Sequence, residues 1–89
     1  MRTLCRVGSM EGMTSVKLSF SMTVQDLFCA VQQKCKRKLE EREVQALSFE
    51  IGGGKWFDVE LDDEDGWTTV IHAHSTEGDD VVRQVLVIV

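Results

Sequence analysis

The chain has 89 residues, of which 43% are apolar and 28% charged, and its net charge of −5 gives a pI of about 4.9. A chain of this length and composition supports one hydrophobic core, so we expect a single folded domain over residues 1–89. The acidic balance argues against binding of nucleic acid or of anionic membranes. No apolar run reaches the roughly 18 residues of a membrane span, and the first residues lack the apolar segment of a signal peptide.

The three cysteines, Cys5, Cys29 and Cys35, stand in a chain without a secretory signal. An odd number in this setting favours free thiols in a reducing, cytoplasmic compartment. Cys29 and Cys35 would point about 120° apart on one helix, which is a poor geometry for a disulfide. Their spacing also matches neither a CxxC redox motif nor a pair of zinc ligands. We therefore expect buried or half-buried free thiols.

The first twenty residues predict a β-hairpin. Residues 2–8 and 14–20 alternate in side-chain character, and a turn of about five residues joins them. In the first strand Arg2, Leu4 and Arg6 share one side, but the pattern leaves open which side faces the core. In the second strand the predicted core-facing residues are Val16, Leu18 and Phe20.

An amphipathic helix is predicted over residues 23–37. Thr23 can cap its start, and Asp26 follows three residues later, as in a capping box. The lysines and arginine at its end suit the negative end of the helix dipole. Steps of three and four residues make one apolar stripe, formed by Val24, Leu27, Phe28, Val31 and Cys35.

The middle of the chain predicts a second hairpin. Residues 39–46 indicate a loop with one helical turn, and strands follow at 47–51 and 56–61. The glycines at 52–54 favour a turn, because glycine accepts positive φ angles. The second of these strands is predicted to face the core with Phe57, Val59 and Leu61.

A second helix and a final strand complete the pattern. The helix is predicted to open at Asp62, since acidic residues favour the positive end of the helix dipole, although Gly66 inside it disfavours a helix. Its apolar stripe consists of Trp67, Val70, Ile71 and His74. A loop over 75–80 leads to the almost wholly apolar run 81–89, which predicts a central strand buried on both faces.

These elements predict an α+β domain in the order β-β-α-β-β-α-β. We expect a mixed sheet with one long helix packed across it and with the last strand parallel to the first in the middle. This arrangement is the ubiquitin-like β-grasp.

Within that fold the chain resembles the PB-one domain, the Phox and Bem interaction module, over most of its length. Arg6, in Thr-Leu-Cys-Arg-Val, stands where the family has a basic residue on the first strand. Lys17, in Ser-Val-Lys-Leu-Ser-Phe, stands where one occurs on the second. The cluster Asp62-Asp63-Glu64-Asp65 is similar to the later part of the family's acidic motif. The resemblance implies front-to-back association through a basic and an acidic face.

One part of the family's motif is missing from this chain. After Leu-Ser-Phe-Glu-Ile the family shows an Asp-Glu-Asp-Gly-Asp turn, whereas this chain has Gly52-Gly53-Gly54-Lys55-Trp56. The resemblance therefore implies that the basic face is present and that the acidic face is half missing. The missing half disfavours front-to-back association of this domain with further copies of itself.

Basic residues form the first candidate docking set, which comprises Arg6, Lys17, Lys34 and Lys36. Arg6 and Lys17 would lie about 5 Å apart at Cβ if they face each other on adjacent strands, where like charges cost stability. That cost favours a docking role for a partner's carboxylates, but the pairing depends on a register that the sequence does not fix. The alternatives are charges that protect a strand edge or complement a helix C-terminus.

Acidic residues form the second candidate set, which comprises Asp58, Glu60, Asp62, Asp63, Glu64 and Asp65. A helix start needs fewer carboxylates, so the set is a candidate docking surface for a basic partner. The alternative is a solvated helix cap. The spacing does not match a calcium-binding loop.

No enzyme activity, metal site or cofactor is predicted. His72 and His74 point in nearly opposite directions on a helix, so they cannot share one ion there. The three glycines lack the pattern of a phosphate-binding loop, and no base accompanies a nucleophile at an arguable spacing.

We therefore expect an interaction module that binds another protein domain through complementary charges around a small apolar centre, as a hetero-oligomer rather than a homo-oligomer. One alternative is a Ras-association-type domain, which would extend the sheet of a small GTPase through its second strand. Another is a structural domain of a larger assembly without its own ligand, which would expose a large apolar patch. Because the chain ends within its last predicted strand, we expect a domain excised from a longer protein.

Overall fold

The computed structural model describes residues 1–75 and 81–89, and within these ranges five strands form one mixed sheet accompanied by three helices. The predicted α+β class is confirmed. The loop predicted over 75–80 lies, apart from Ser75, outside the described residues. The elements are β1 (Arg2–Val7), β2 (Thr14–Lys17), α1 (Val24–Lys34), α2 (Lys36–Leu39), β3 (Ala46–Gly52), β4 (Lys55–Glu60), α3 (Glu64–His74) and β5 (Val82–Ile88).

The strands are arranged in the order β2-β1-β5-β3-β4. β1 and β5 run parallel, with Arg2 opposite Val82 and Val7 opposite Val87. The other three described strand pairs are antiparallel. The last strand therefore lies beside the first in the middle of a mixed sheet, as the sequence predicts.

Helices α1 and α3 cover one face of the sheet. The Trp67 ring on α3 lies 5.7 Å from the Phe49 ring on β3, measured between centroids, and α1 buries Leu27, Phe28 and Val31. Alternate residues of the strands point into this core, namely Thr3, Cys5, Val7, Val16, Leu47, Phe49, Val59, Val85 and Val87. This alternation settles which side of β1 faces the core. We call the other side of the sheet the open face, because no helix of the described ranges packs on it.

Two residues predicted to face the core do not. β2 ends at Lys17, and Phe20 lies beyond it in a turn with 37% of its surface exposed. Leu61 likewise lies past the end of β4 and is 47% exposed. In both cases the alternation of a strand was extended into residues that leave the sheet, where the period of two no longer applies.

Two longer predictions also need correction. The helix predicted over 23–37 is broken at Cys35, so α1 ends at Lys34 and the short α2 follows. β5 is central, but the prediction of burial on both faces is wrong. Val85 and Val87 are buried in the core, whereas Leu86 and Ile88 are only half-buried on the open face.

Side-chain caps begin the two long helices. Thr23 Oγ1 accepts a hydrogen bond from the Asp26 N–H at 3.1 Å, and Asp26 Oδ2 accepts one from the Thr23 N–H at 3.4 Å, so the capping box is confirmed. α3 starts later than predicted, because Asp63 caps it by accepting from the Gly66 N–H at 2.8 Å. A Cβ on Gly66 would collide with this carboxylate, which explains a glycine inside the helix.

Candidate functional site

The open face of the sheet carries the charged residues that the sequence selects on strands. Arg2, Leu4 and Arg6 of β1 point to this face, with both arginines exposed and Leu4 half-buried. Lys17 of β2 is exposed on the same face, opposite Arg2. We call Arg2, Arg6 and Lys17 the basic half of the open face.

The register of the hairpin corrects the proposed pairing of Arg6 with Lys17. Lys17 lies opposite Arg2, and Arg6 lies four residues further along β1. At usual strand dimensions the Cα atoms of Arg6 and Lys17 are therefore about 14 Å apart. The cation that does face Lys17, Arg2, was missed as a candidate, although its position two and four residues before Leu4 and Arg6 signals that it shares their side.

Asp58 and Glu60 are exposed on β4, and we call them the acidic half of the open face. The strand pairings define one continuous row across the sheet, which runs Arg6, Leu86, Ser48, Asp58. Three strand spacings separate Arg6 from Asp58 by about 14 Å, too far for an ion pair within the molecule. Both charges are thus directed to solvent and available to a second surface.

Mainly apolar side chains accompany the two charged halves on the open face. Leu86 and Ile88 of the central strand β5 are half-buried between them, and Leu4 on β1 and Trp56 on β4, which is 45% exposed, lie on either side. Gln84 and Glu50 are polar residues of the same face. Ser48, in the same central region, is 5% exposed, because a small side chain sits below its larger neighbours. An apolar centre with charged groups around it is the composition of a protein interface with a polar rim.

Lys34 and Lys36 are not part of this arrangement. Lys34 ends α1 and Lys36 begins α2, and both are exposed in the helix layer, which covers the other side of the sheet. The predicted basic set is therefore divided between two faces. Only Arg6 and Lys17 belong to the open face.

The acidic set is also divided. Asp62 and Asp65 are exposed near the start of α3, away from the strands. Asp63 is engaged as the cap of α3, and Glu64 Oε1 accepts a hydrogen bond from the Val24 N–H at 3.3 Å. At least two of the six carboxylates thus serve the fold directly, which sequence spacing could not reveal.

The three thiols are free, and they differ in environment. Cys5 and Cys35 are buried, whereas Cys29 is exposed on α1, where it lines an open groove of about 780 Å³ between α1 and the segment 40–44. Burial raises the pKa of the Cys5 thiol to about 11, partly offset by its hydrogen bond with Thr3. Burial also raises the pKa of Cys35. Since the thiolate is the nucleophile, neither buried cysteine is suited to nucleophilic chemistry.

The two histidines lie apart on α3. His74 is buried in the core and His72 is exposed, which places them on different sides of α3. Within residues 1–75 and 81–89 no group of three or more His, Cys, Asp and Glu side chains could hold a metal ion. In the same ranges, no helix has the length and apolar character needed to cross a membrane.

Comparisons with known proteins found no family model, no curated protein and no solved structure that matches this chain. The open face is therefore the feature from which a function can be inferred.

Proposed function

We propose that this chain is an interaction module of the ubiquitin-like β-grasp type, and that it binds another protein through the open face of its sheet. The strand order, with β1 and β5 parallel at the centre, supports that fold. One observation carries the function: cations and carboxylates occupy opposite sides of a single exposed face, with Leu86 and Ile88 at its centre.

The mechanism is charge-guided docking. The basic half receives carboxylates of the partner, the apolar centre is buried on contact, and Asp58 with Glu60 receives basic groups. Complementary charges of this kind raise the association rate and exclude wrong partners more than they raise affinity. Salt should slow association, because the Debye length is only about 8 Å at physiological ionic strength.

The resemblance to PB-one domains enters this proposal through Arg6 and Lys17. Both are exposed on the same face, at the strand positions where that family has its basic residues. The glycine turn between β3 and β4, with positive φ at Gly52, Gly53 and Gly54, carries no carboxylate in place of the family's acidic turn. We therefore propose a PB-one-like module whose basic half is its principal binding surface.

An affinity pull-down followed by mass spectrometry tests this proposal. The first bait carries R6E and K17E and the second carries D58K and E60K, because reversal of Asp63 or Glu64 would damage the contacts that position α3. The matched control carries K34E and K36E, which makes the same charge change in the helix layer. Circular dichroism verifies that each bait is folded.

We expect a specific protein to be retained by the wild type and by the control, and to be lost from at least one of the two open-face baits. If the folded baits all retain the same proteins, or if the wild type binds neither another protein nor a second copy of its own chain, the docking proposal is wrong. The domain is then a structural part of a larger assembly.

A small GTPase is a second candidate partner, because β2 is an edge strand. β1 is the neighbour described for β2, so the backbone groups on the other side of β2 can extend a second sheet. This alternative requires binding of a GTPase loaded with a GTP analogue and not of the GDP form. Equal retention of both forms, or of neither, excludes it.

A further inference from the structure

We propose that the partner that fits the open face is a second copy of this chain, joined in a closed dimer with two-fold symmetry. The inference rests on the proposed function of the open face and names its partner. The sequence alone favours a hetero-oligomer, because it does not show which residues share a row across the sheet. The strand registers supply that information.

The symmetry follows from the position of the charges. A two-fold axis that lies in the interface, parallel to the strands and between β5 and β3, turns the open face onto itself. It sets β1 against β4 of the second copy and β5 against β3 of the second copy. The two sheets then pack face to face with nearly aligned strands, about 10 Å apart, as in β-sandwiches. Every contact occurs twice, as a closed two-fold interface requires.

The central row shows the match. Because Arg6, Leu86, Ser48 and Asp58 lie in one row, the rotation brings Arg6 against Asp58 of the second copy, and Leu86 against Ser48 of the second copy. The bulky Leu86 side chain thus meets the low point that the nearly buried Ser48 makes in the opposing surface. Two Arg6–Asp58 ion pairs form at the sides, one at each.

The neighbouring rows match as well. Ile88 lies opposite Ala46 in the sheet, so the rotation brings Ile88 against Ala46 of the second copy. Leu4 lies opposite Gln84. The register of β3 and β5, continued by one residue pair, places Gln84 opposite Glu50, and Glu50 lies opposite Trp56. Leu4 therefore meets Trp56 of the second copy, and the exposed indole is covered. The same row sets Gln84 against Glu50 of the second copy, where the amide can donate a hydrogen bond to the carboxylate. The other contacts named in these three rows pair a charge with its opposite or an apolar group with an apolar or small one.

Other ways of stacking the two faces lose this complementarity. A two-fold axis across the strands would set the basic half on the basic half and the acidic half on the acidic half, where like charges repel. The charges of the open face thus select one orientation. β1, β5, β3 and β4 each face a strand of the second copy, whereas β2 lies outside the overlap, which is about 14 Å wide and about 23 Å along the longest strand. The interface is therefore small, and we expect a micromolar dissociation constant.

Sedimentation equilibrium of the full chain tests the proposal, because it measures the mass of the species in solution. The measurements extend from about 10 µM to about 500 µM, a range suited to the expected dissociation constant. The wild type should pass from one copy to two and stop at two. R6E alone and D58R alone should each weaken the dimer at least tenfold, because each sets like charges face to face twice. An equimolar mixture of the R6E and D58R chains should recover the dimer, because both ion pairs are then of opposite charge. The chain that carries both changes should recover it too.

Matched controls separate this pairing from a general charge effect. R37E and E41R make the same changes of charge at exposed positions of α2 and of the segment that follows it, and neither should alter the dimer. Circular dichroism and the number of reactive thiols report the fold of every variant.

Three outcomes overturn the second-copy proposal. They are a wild type that remains monomeric, a dimer that survives both single reversals, and growth beyond two copies, which indicates front-to-back assembly. If the chain remains monomeric, the wild-type bait can still retain a protein that the bait with R6E and K17E loses. In that case only the second-copy proposal fails. If the pull-down also fails, the proposed function fails with it.

Discussion

The indole Nε1–H of Trp67 donates a 2.8 Å hydrogen bond to the carbonyl oxygen of Met22, which joins α3 to the residue before the cap of α1. One turn earlier in α3, Glu64 accepts a hydrogen bond from the Val24 N–H. The two bonds link the starts of both long helices, although 45 and 40 residues separate the partners in the chain. The helix layer is therefore tied together independently of the open face.

Replacement of Trp67 tests this link. W67F removes the hydrogen bond, leaves the Met22 carbonyl without this donor and deletes buried volume, so we expect the free energy of unfolding to fall by about 2–4 kcal/mol. The control is W56F, since Trp56 is exposed on the open face, and it should change the free energy by less than about 0.5 kcal/mol. Urea unfolding followed by circular dichroism measures both, below the concentration of any dimer. Equal losses for the two variants would contradict the described environments.

Gly66 and Asp63 should be energetically coupled. Replacing an interior helix glycine by alanine usually stabilises a helix by about 1 kcal/mol, but here the added Cβ would displace the Asp63 carboxylate from its capping position. Loss of the cap costs about 1 kcal/mol, so we expect G66A to be close to neutral and D63A to be destabilising. In the D63A background, G66A should stabilise by about 1 kcal/mol. A double-mutant cycle from urea unfolding measures the coupling, and additive effects would exclude it.

The buried thiol of Cys5 should make the fold sensitive to alkaline pH. Its pKa of about 11 in the folded protein lies above the ordinary 9.0, so the unfolded chain loses the thiol proton at a lower pH than the folded chain. The contribution of Cys5 to the free energy of unfolding is therefore fully present below pH 9 and is lost as the pH rises to about 11. Over this interval the free energy of unfolding of the wild type should fall by roughly 2–3 kcal/mol more than that of C5A. The difference between the wild type and C5A is the quantity to compare, because it isolates the effect of this one thiol from every other effect of alkaline pH. C29A, which removes the exposed thiol, should follow the wild type, and parallel curves for wild type and C5A would refute the prediction.

Thiol reagents should distinguish the three cysteines. A disulfide reagent in excess should modify one thiol rapidly in the folded protein, and C29A should lose that reaction, because Cys29 alone of the three is exposed. Cys5 and Cys35 should react only when the chain unfolds, so urea should raise the total to three. Rapid modification of two or more thiols without denaturant would mean that the layer over β1 opens readily.

Features encoded within a few residues could be predicted from the sequence. The capping box of Thr23 and Asp26, the glycine turn after β3 and the alternation of β4 as far as Val59 each depend on near neighbours, and each lies where the sequence indicates. The parallel pairing of the first and last strands also followed, since few topologies accommodate these elements.

The organisation of the candidate site could be predicted only in part. The alternation of side chains along β1 and β2 predicts which residues share a side with Arg6 and with Lys17. The register that sets Lys17 against Arg2, however, depends on the loop and on packing across the whole sheet. The apolar run of β5 suggested burial on both faces, yet Leu86 remains half exposed because the described helices cover one side. The composition of a strand cannot show whether its apolar surface is covered by the same chain or is left exposed for contact with a second chain.

The central pairing of β1 with β5 also has a kinetic consequence. Arg2 and Val82 are partners although eighty positions separate them, and β5 is the strand that joins the hairpin β1–β2 to the hairpin β3–β4. Both hairpins can form early, but the sheet cannot close until the last strand arrives, and contacts this distant in sequence make folding slow. During synthesis, the hairpin β1–β2 should therefore form first and keep an exposed strand edge, because β5, its neighbour in the sheet, is made last. Folding should be completed only after Ile88 has left the exit tunnel.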